Sequence, residues 1–357
     1  MSNDLDIDPG RSCVYTRPVR VLVTGGAGYI GSTIATALER AGHVPVILDS
    51  LIKGRREFVG DRVFYQGDIA DRALLERIVT EQEIDCTIHC AALIVVPDSV
   101  RRPYDYYVNN VTKSLELVQT LTELSRPRVV FSSSASIYAF SDRLEVDESS
   151  PLHPSSPYGR TKLIMETMLG DLAAASDLRV IMLRYFNPIG SDPDFRSGVY
   201  DPVPSHVLGQ LVAATEGRIE AFDLTGTDLP TRDGTGLRDY VGVWDLARAH
   251  VAAVERFDDV LATEEAPSTV INLGTGSGVT VRELLSTFEQ VAGRPVPTRE
   301  KPGRPGDAVG AYANVDKAHR LLDWRAEQIL ADGITSALEW SRRRPTLLPD
   351  LAPTTAS

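Results

Sequence analysis

Three glycines at three-residue spacing, Gly25, Gly28 and Gly31, follow the strand-like run Val19–Val23 and open a helical pattern that continues to about Ala41. A chain that passes from strand to helix through such a turn has few alternatives. Gly25 permits the tight turn, Gly28 lets backbone approach a pyrophosphate, and Gly31 lets the helix pack closely on the strand. The helix N-terminus then presents N–H groups and a partial positive charge to phosphate. Asp49 ends the next β-branched run, Val44–Leu48. A carboxylate there can accept hydrogen bonds from a ribose diol and would repel a 2′-phosphate. NAD is therefore the expected cofactor, while Lys53, Arg55 and Arg56 keep the 2′-phosphorylated form open. Asp68, after the run Val63–Gln66, reads either as a contact to the adenine amino group or as the N-cap of the following helix.

The remainder of the first half repeats this alternation. Strands are expected at Cys86–His89, Arg128–Ser132 and Arg179–Arg184, with helices near Asp71–Glu81, Pro103–Ser125 and Ser156–Ala175. Alternating strands and helices imply an α/β fold, a doubly wound parallel sheet covered on both faces. Beyond Asn187 the texture changes to Asp-, Pro- and Gly-rich stretches such as Gly190–Pro204 and Asp228–Gly236, the mark of a smaller, loop-rich C-terminal lobe. Helical patterns return at Val243–Phe257 and Val281–Val291. The expected division is a disordered tail over residues 1–18, a dinucleotide-binding domain over 19–187, a substrate-binding lobe over 188–343 with segments returning to the sheet, and a second tail over 344–357.

A second constellation carries the chemistry. Tyr158 and Lys162 stand four residues apart in an expected helix, so both side chains share one face. A phenol is a poor base at neutral pH, and a neighbouring ammonium would lower its pKa. Ahead of them the run Phe131–Ser134 ends a strand, which places Ser134 at a carboxyl end of the sheet, where open α/β folds bind ligands. Ser134 there can share a substrate hydroxyl proton with Tyr158. The chain carries 37 basic against 49 acidic residues, a net charge of -12, which disfavours nucleic acid or anionic membrane as a partner. An anionic substrate then needs a local basic pocket. Three cysteines, Cys13, Cys86 and Cys90, argue for a reducing compartment, and their spacing with His89 does not make a zinc site, so no metal is expected. No apolar run reaches the roughly 20 residues of a membrane span.

Taken together, Thr24–Gly31, Asp49, Gly67–Ile69, Ser132–Tyr138, Tyr158–Lys162, Arg184–Asn187, Asp233–Tyr240 and Arg304–Asp307 resemble the UDP-glucose 4-epimerases, from about Arg20 to Pro345. The resemblance implies a Rossmann sheet of the extended short-chain dehydrogenase type and an NAD-dependent isomerase of nucleotide sugars. It further implies that NAD contacts Gly25, Gly28, Tyr29, Ile30, Gly31, Asp49, Ser50, Asp68, Ile69, Ala91, Ala92, Leu93, Asn109, Ser132, Tyr158, Lys162 and Tyr185. Tyr158 would be the general base, Lys162 its electrostatic partner and Ser134 the proton relay. Sugar and nucleotide would meet Ser134, Ser136, Tyr158, Phe186, Asn187, His206, Thr225, Arg238, Arg304, Asp307 and Ala311. The family also implies a cytoplasmic homodimer, joined through the helices near Pro103–Ser125 and Ser156–Ala175.

Several positions depart from the family pattern. Ile94 replaces a lysine that touches the cofactor. His206 replaces an asparagine on the nucleotide half, and Thr225 replaces an aromatic residue over the uracil, with Phe222 the neighbouring candidate to substitute. These changes leave open a non-uridine nucleotide, ADP- or GDP-linked, with a larger sugar such as a heptose. The residue that gates the sugar pocket falls at Ala311, or at Tyr312 if the register is displaced by one. Ala135 and Ser136 follow Ser134, where the sugar 4,6-dehydratases carry an acidic pair, so water elimination lacks its proton donor. A net oxidoreductase and a non-catalytic NAD-sensing protein are the other readings.

Overall fold

The computed structural model describes residues 17–139, 144–201, 204–303 and 309–351. The first half runs β1 (Arg20–Thr24), α1 (Tyr29–Arg40), β2 (Val44–Asp49), β3 (Val63–Gln66), α2 (Arg72–Gln82), β4 (Cys86–His89), α3 (Val96–Arg101), α4 (Pro103–Tyr107), α5 (Lys113–Glu123), β5 (Arg128–Ser134), β6 (Glu145–Val146), α6 (Pro157–Ala175) and β7 (Arg179–Tyr185). The second half runs β8 (Asn187–Ile189), α7 (Val207–Thr215), β9 (Phe222–Thr225), β10 (Leu237–Arg238), β11 (Tyr240–Gly242), α8 (Val243–Glu255), α9 (Phe257–Thr263), β12 (Ser268–Leu273), β13 (Val279–Thr280), α10 (Val281–Ala292), β14 (Thr298–Lys301), β15 (Gly310–Ala313), α11 (Asp316–Leu322) and α12 (Leu330–Leu347).

Seven parallel strands form the main sheet in the order β12-β7-β5-β4-β1-β2-β3. The chain winds outward from β1 in one direction, then returns to β4 on its other side. That reversal makes the β1/β4 boundary the switch point of a doubly wound sheet, with its ligand crevice at the carboxyl ends. Strand alternation divides the core into two layers. Val21, Val23 and Ile47 pack with Ile34, Leu38, Leu246 and Phe257 on one face. Leu22, Val46 and Leu48 pack with Leu75, Ile78, Leu117 and Met165 on the other.

The lobe has a core of its own around Leu211, Phe222, Tyr240, Leu284, Phe288 and Ile334. A four-stranded sheet, β13-β10-β15-β6, joins it to the main body. These strands are two to four residues long, too short to show a periodic signal in sequence. The lobe expected to be loop-rich is therefore also a sheet.

Three expectations are corrected. The helix expected over Pro103–Ser125 is interrupted by a π turn at Val108–Thr112. The stretch 344–357 does not begin as a tail: Arg344 is buried within α12, and Leu348 is fully buried against Phe58 and Trp340. The apolar spacing of Trp340, Leu347 and Leu348 outweighs Pro345, and residues 352–357 lie outside those described, as do residues 1–16. Asp68 is not a helix cap. Asp71 caps α2, accepting from the Leu74 N–H at 3.1 Å, while Asp68 accepts from Ala70 N–H at 3.0 Å and pairs with Lys113.

Candidate active site

The glycine turn lies directly below the segment that follows β4. Gly25 has φ 71°, a left-handed conformation, and a methyl group placed on it would stand 2.7 Å from the Ala91 nitrogen. A methyl group on Gly31 would stand 2.3 Å from the Gly25 carbonyl oxygen. Gly28 precedes α1 without any side-chain cap, so the first N–H groups, at Tyr29, Ile30 and Gly31, face the crevice mouth as anion donors. Gly31→Ala is expected to destabilise the fold by about 1–3 kcal/mol and to deplete bound cofactor. Thermal unfolding and the nicotinamide content of the purified protein check this, and an unchanged midpoint with full cofactor would contradict it.

Asp49 is buried and held by two backbone donors, Ala27 N–H at 3.0 Å and Leu51 N–H at 2.8 Å. Burial raises its pKa, and those two hydrogen bonds oppose the rise. A carboxylate has about four acceptor sites, so it retains capacity for a ribose diol. Ser50 follows it, half-buried, and Ile69 is buried in the layer beneath. Tyr29 donates its hydroxyl to the Gly190 carbonyl at 2.8 Å, tying the turn to the base of the lobe. The bare glycine cradle, the uncapped helix and the carboxylate together fit a dinucleotide.

The segment Ala91–Leu93 is half-buried and fixed by a residue that sequence reasoning missed. Leu93 N–H donates to Asn110 Oδ1 at 2.8 Å, and Asn109 donates to the same oxygen at 3.0 Å. Paired asparagines inside a helical pattern are poor helix formers, which was the one available signal. Ile94, standing where the family pattern has lysine, is exposed. Ser132 donates to Cys90 Sγ at 3.1 Å. Burial raises the pKa of the Tyr185 phenol well above its usual range. His89 bonds Thr24 and Ser114 at 2.7 and 2.8 Å, and burial drops its pKa to about 3, so it stays neutral.

Ser156 caps α6, accepting from Gly159 N–H at 3.1 Å, and Pro157 opens the first turn. This places Tyr158 in that turn, close enough to Ser134 for that side chain to act on the phenol's pKa. Ser134 accepts from Ser136 N–H at 3.2 Å, and Ser136 Oγ is buried without a partner among the described residues. That leaves one hydroxyl beside the tyrosine–serine pair free for a ligand.

Lys162 is not among the groups that shift the tyrosine pKa in this structure. Burial raises the pKa of Tyr158, and the Ser134 side chain opposes this. Lys162 instead donates to the Ser132 carbonyl at 2.6 Å and lies 4.8 Å from the Phe131 ring centroid. Burial pulls its pKa from 10.5 down to about 8, with Cys90 and Glu166 acting the other way. Between those two values the unfolded chain holds more protons than the folded one. Stability attributable to this group therefore rises with pH across that window, and the full penalty of burying an ammonium applies below it. Where catalysis needs the ammonium, kcat/KM of the free enzyme should decline above about pH 8. Lys162→Met should abolish that limb, and a wild-type profile flat through this range would contradict the assignment.

Behind these residues lies an ion pair that sequence reasoning also missed. Arg184 and Glu166 are both buried and meet at 2.6 Å, and Ser133 donates to the same carboxylate. Arg184 also donates to the Tyr138 hydroxyl at 3.0 Å, which donates to Asn272 at 2.6 Å.

On the sugar side, Phe186 stacks on Tyr138 at 6.5 Å, and Asn187 is exposed at the start of β8. Ala311 packs on the cluster containing Phe186, whereas the Tyr312 ring lies against Gly278. Adjacent strand residues face opposite sides, so Ala311, not Tyr312, is turned toward the cluster that contains Phe186. His206 caps α7, its Nδ1 accepting from Gly209 N–H at 3.2 Å. Thr225 ends β9, half-buried. Phe222 is not a substitute base platform, because it is buried in the lobe core. Arg238 lies on β10 and donates to the Leu237 carbonyl at 2.6 Å. Arg304 and Asp307 lie outside the described residues. Among the described residues no cluster of three or more His, Cys, Asp or Glu side chains suits a metal, and no helix is long and apolar enough to cross a membrane.

Comparison with known proteins places this geometry in context. The NAD dependent epimerase/dehydratase family matches residues 21–279. The UDP-glucose 4-epimerase of Azospirillum brasilense is 42% identical over 325 residues, covering 90% of this chain and 92% of its own. That of Bacillus subtilis (strain 168) is 39% identical, covering 90% and 96%. Among solved structures, the UDP-glucose-4-epimerase of Stenotrophomonas maltophila, with bound NAD and formylated UDP-arabinopyranose, superposes with a TM-score of 0.87 at 37% identity, covering 92% of this chain and 99% of that one. The Bifidobacterium longum UDP-glucose 4-epimerase, in complex with NAD+ and UDP, gives 0.85 at 34% identity, covering 92% and 100%.

Proposed function

Because this chain belongs to the NAD dependent epimerase/dehydratase family, we propose that it is an NAD-dependent nucleotide-sugar 4-epimerase, with a UDP-hexose as its default substrate. The observation that carries this is Tyr158 in the first turn of α6, acted on by Ser134, with the buried Lys162 four residues on, at the carboxyl end of a doubly wound sheet. Bound NAD would supply reversible hydride acceptance at C4 of the sugar. Tyr158 would take the proton of the 4-hydroxyl, with Ser134 beside it as relay. With the sugar turned to its other face, Tyr158 would return that proton to the C4 oxygen. Formation of the phenolate is opposed by burial and favoured by Ser134. The Lys162 ammonium, one helical turn along, is the positive charge available to stabilise it.

Glycine-turn N–H groups and Asp49 hold the dinucleotide, with Asn109, Ala91–Leu93, Ser132 and Tyr185 along its nicotinamide half. Arg238, Arg304 and Asn187 hold the nucleotide diphosphate, and Asp307 its ribose. Ala311, small and beside Phe186, leaves room at C2 or C6 of the sugar. A non-uridine base is the second reading. It is supported by Thr225 at the base position, by Phe222 being held in the core, and by His206 being engaged as a helix cap. The enzyme is a cytoplasmic homodimer in this reading. The compartment is supported by the free thiols of Cys86 and Cys90. The assembly is supported by the exposed apolar stripe Val96, Val100 and Tyr104 on α3 and α4.

The test is incubation of the purified protein, without added cofactor, with UDP-, ADP-, GDP- and TDP-sugars, reading C4 stereochemistry by NMR. Inversion of one sugar by protein carrying its own NAD is expected. Net accumulation of reduced nicotinamide with no epimer would replace the reading by a dehydrogenase.

A further inference from the structure

Asn110 lies outside the contacts assigned above, and its surroundings give it a task. It sits on the π turn Val108–Thr112, which opens the helix between α4 and α5. Such turns are rare and recur at functional sites. The side chain is buried, and its amide has two donor and two acceptor positions. All four are filled. Oδ1 accepts from Leu93 N–H at 2.8 Å and from Asn109 Nδ2 at 3.0 Å. Nδ2 donates to the Leu93 carbonyl at 2.8 Å and to Thr161 Oγ1 at 3.3 Å. The opposed demands of Leu93 N–H and C=O determine which way the amide points.

Each partner leads to the site. Leu93 belongs to the segment that begins at Ala91 over the glycine turn. Tyr106 clamps the same segment further on, donating to the Val95 carbonyl at 2.7 Å. Thr161 is fully buried and donates its hydroxyl to the Tyr158 carbonyl at 2.7 Å. One buried amide therefore links the wall of the dinucleotide cleft, the side chain of Asn109, and the backbone of the proposed base.

We infer that Asn110 is a positioning residue that sets the cofactor-side segment against the catalytic turn of α6, and with it the distance across which hydride and proton move. This rests on the epimerase reading. Misplacement of reacting groups by an ångström lowers turnover steeply while leaving sugar affinity to other residues.

Asn110→Leu removes all four bonds while keeping the branching at Cγ. Thr161→Val removes the Asn110–Thr161 bond and the bond to the Tyr158 carbonyl, and leaves the bonds to Leu93 and Asn109. For folded Asn110→Leu, assayed well below its unfolding midpoint, kcat is expected to fall about tenfold or more at saturating sugar, with KM little changed. Its bound NAD should dissociate faster than that of the wild type, followed by nicotinamide fluorescence after dilution. Thr161→Val should lower kcat and keep NAD. A purely structural asparagine would lower the midpoint and leave kcat of the folded fraction intact. Wild-type kcat and NAD dissociation in folded Asn110→Leu overturn the inference. Should that variant fail to fold, wild-type kcat in Thr161→Val overturns it. If the wild type inverts no nucleotide sugar, the epimerase reading fails by itself. The dissociation rate from Asn110→Leu then still decides the positioning role, an unchanged rate counting against it.

Discussion

Tyr158→Phe is expected to yield a folded protein that retains its NAD and loses turnover by about 10²–10⁴-fold, the usual range for removing a positioned acid–base group. The substitution deletes one oxygen. The half-buried ring keeps its packing in the first turn of α6, and the cofactor contacts assigned to Lys162 and Asp49 are untouched. What disappears is the hydroxyl on which Ser134 acts. Ser134→Ala should reduce turnover by a smaller factor, because a substrate hydroxyl can then reach the phenol directly. The double variant should be no worse than Tyr158→Phe, since two groups handling one proton act as a unit. Turnover of Tyr158→Phe near the wild-type value, measured by the interconversion of the two C4 epimers, would remove Tyr158 from the chemistry.

Glu166→Ala is the expected large effect on stability. Glu166 and Arg184 are each about 95% buried. Removing one member of a buried ion pair leaves the other charge uncompensated, a loss of about 3–5 kcal/mol. That is a large part of the 5–15 kcal/mol that holds a typical domain folded. Ser133 would lose its acceptor as well, and the Tyr138–Asn272 link would lose its anchor. Because Ser133 stands between Ser132, which accepts from Lys162, and Ser134, which meets Tyr158, the damage should reach the site too. Urea denaturation checks this. The paired replacement Glu166→Leu with Arg184→Met should recover much of the loss, because apolar substitutes of similar volume often equal a buried ion pair. A single variant as stable as wild type would show that water reaches Arg184.

Much of the site was legible because its determinants are local. The glycine turn needs particular backbone conformations at fixed offsets, and the structure shows why: a side chain at Gly25 or Gly31 collides with backbone. Tyr158 and Lys162 needed only helical spacing, and Ser156 and Pro157 supply a readable start to that helix. Asp71 was equally readable as the cap of α2, but Asp68 competed for the role three residues earlier. Other features could not be read. Phe222 looked available as an aromatic neighbour of Thr225, yet burial in the lobe depends on Leu284, Phe288 and Ile334, which lie 62 to 112 positions further along the chain. The direction of the Lys162 amino group follows from the Ser132 carbonyl on another element.

By itself, then, the amino-acid order determined the glycine strand–turn–helix, the carboxylate at the end of β2, and the tyrosine, lysine and serine of the proposed site. Each is an instruction about conformation or spacing within a few residues, enforced by sterics and helical pitch. Only the tertiary structure decided that Asn110 joins Leu93 to Thr161, that Glu166 pairs with Arg184, and that Ala311 rather than Tyr312 packs on the cluster holding Phe186. Those outcomes come from contacts between segments remote in the chain. Burial makes an unmet polar group costly, and so selects one partner from many that the sequence leaves equally open.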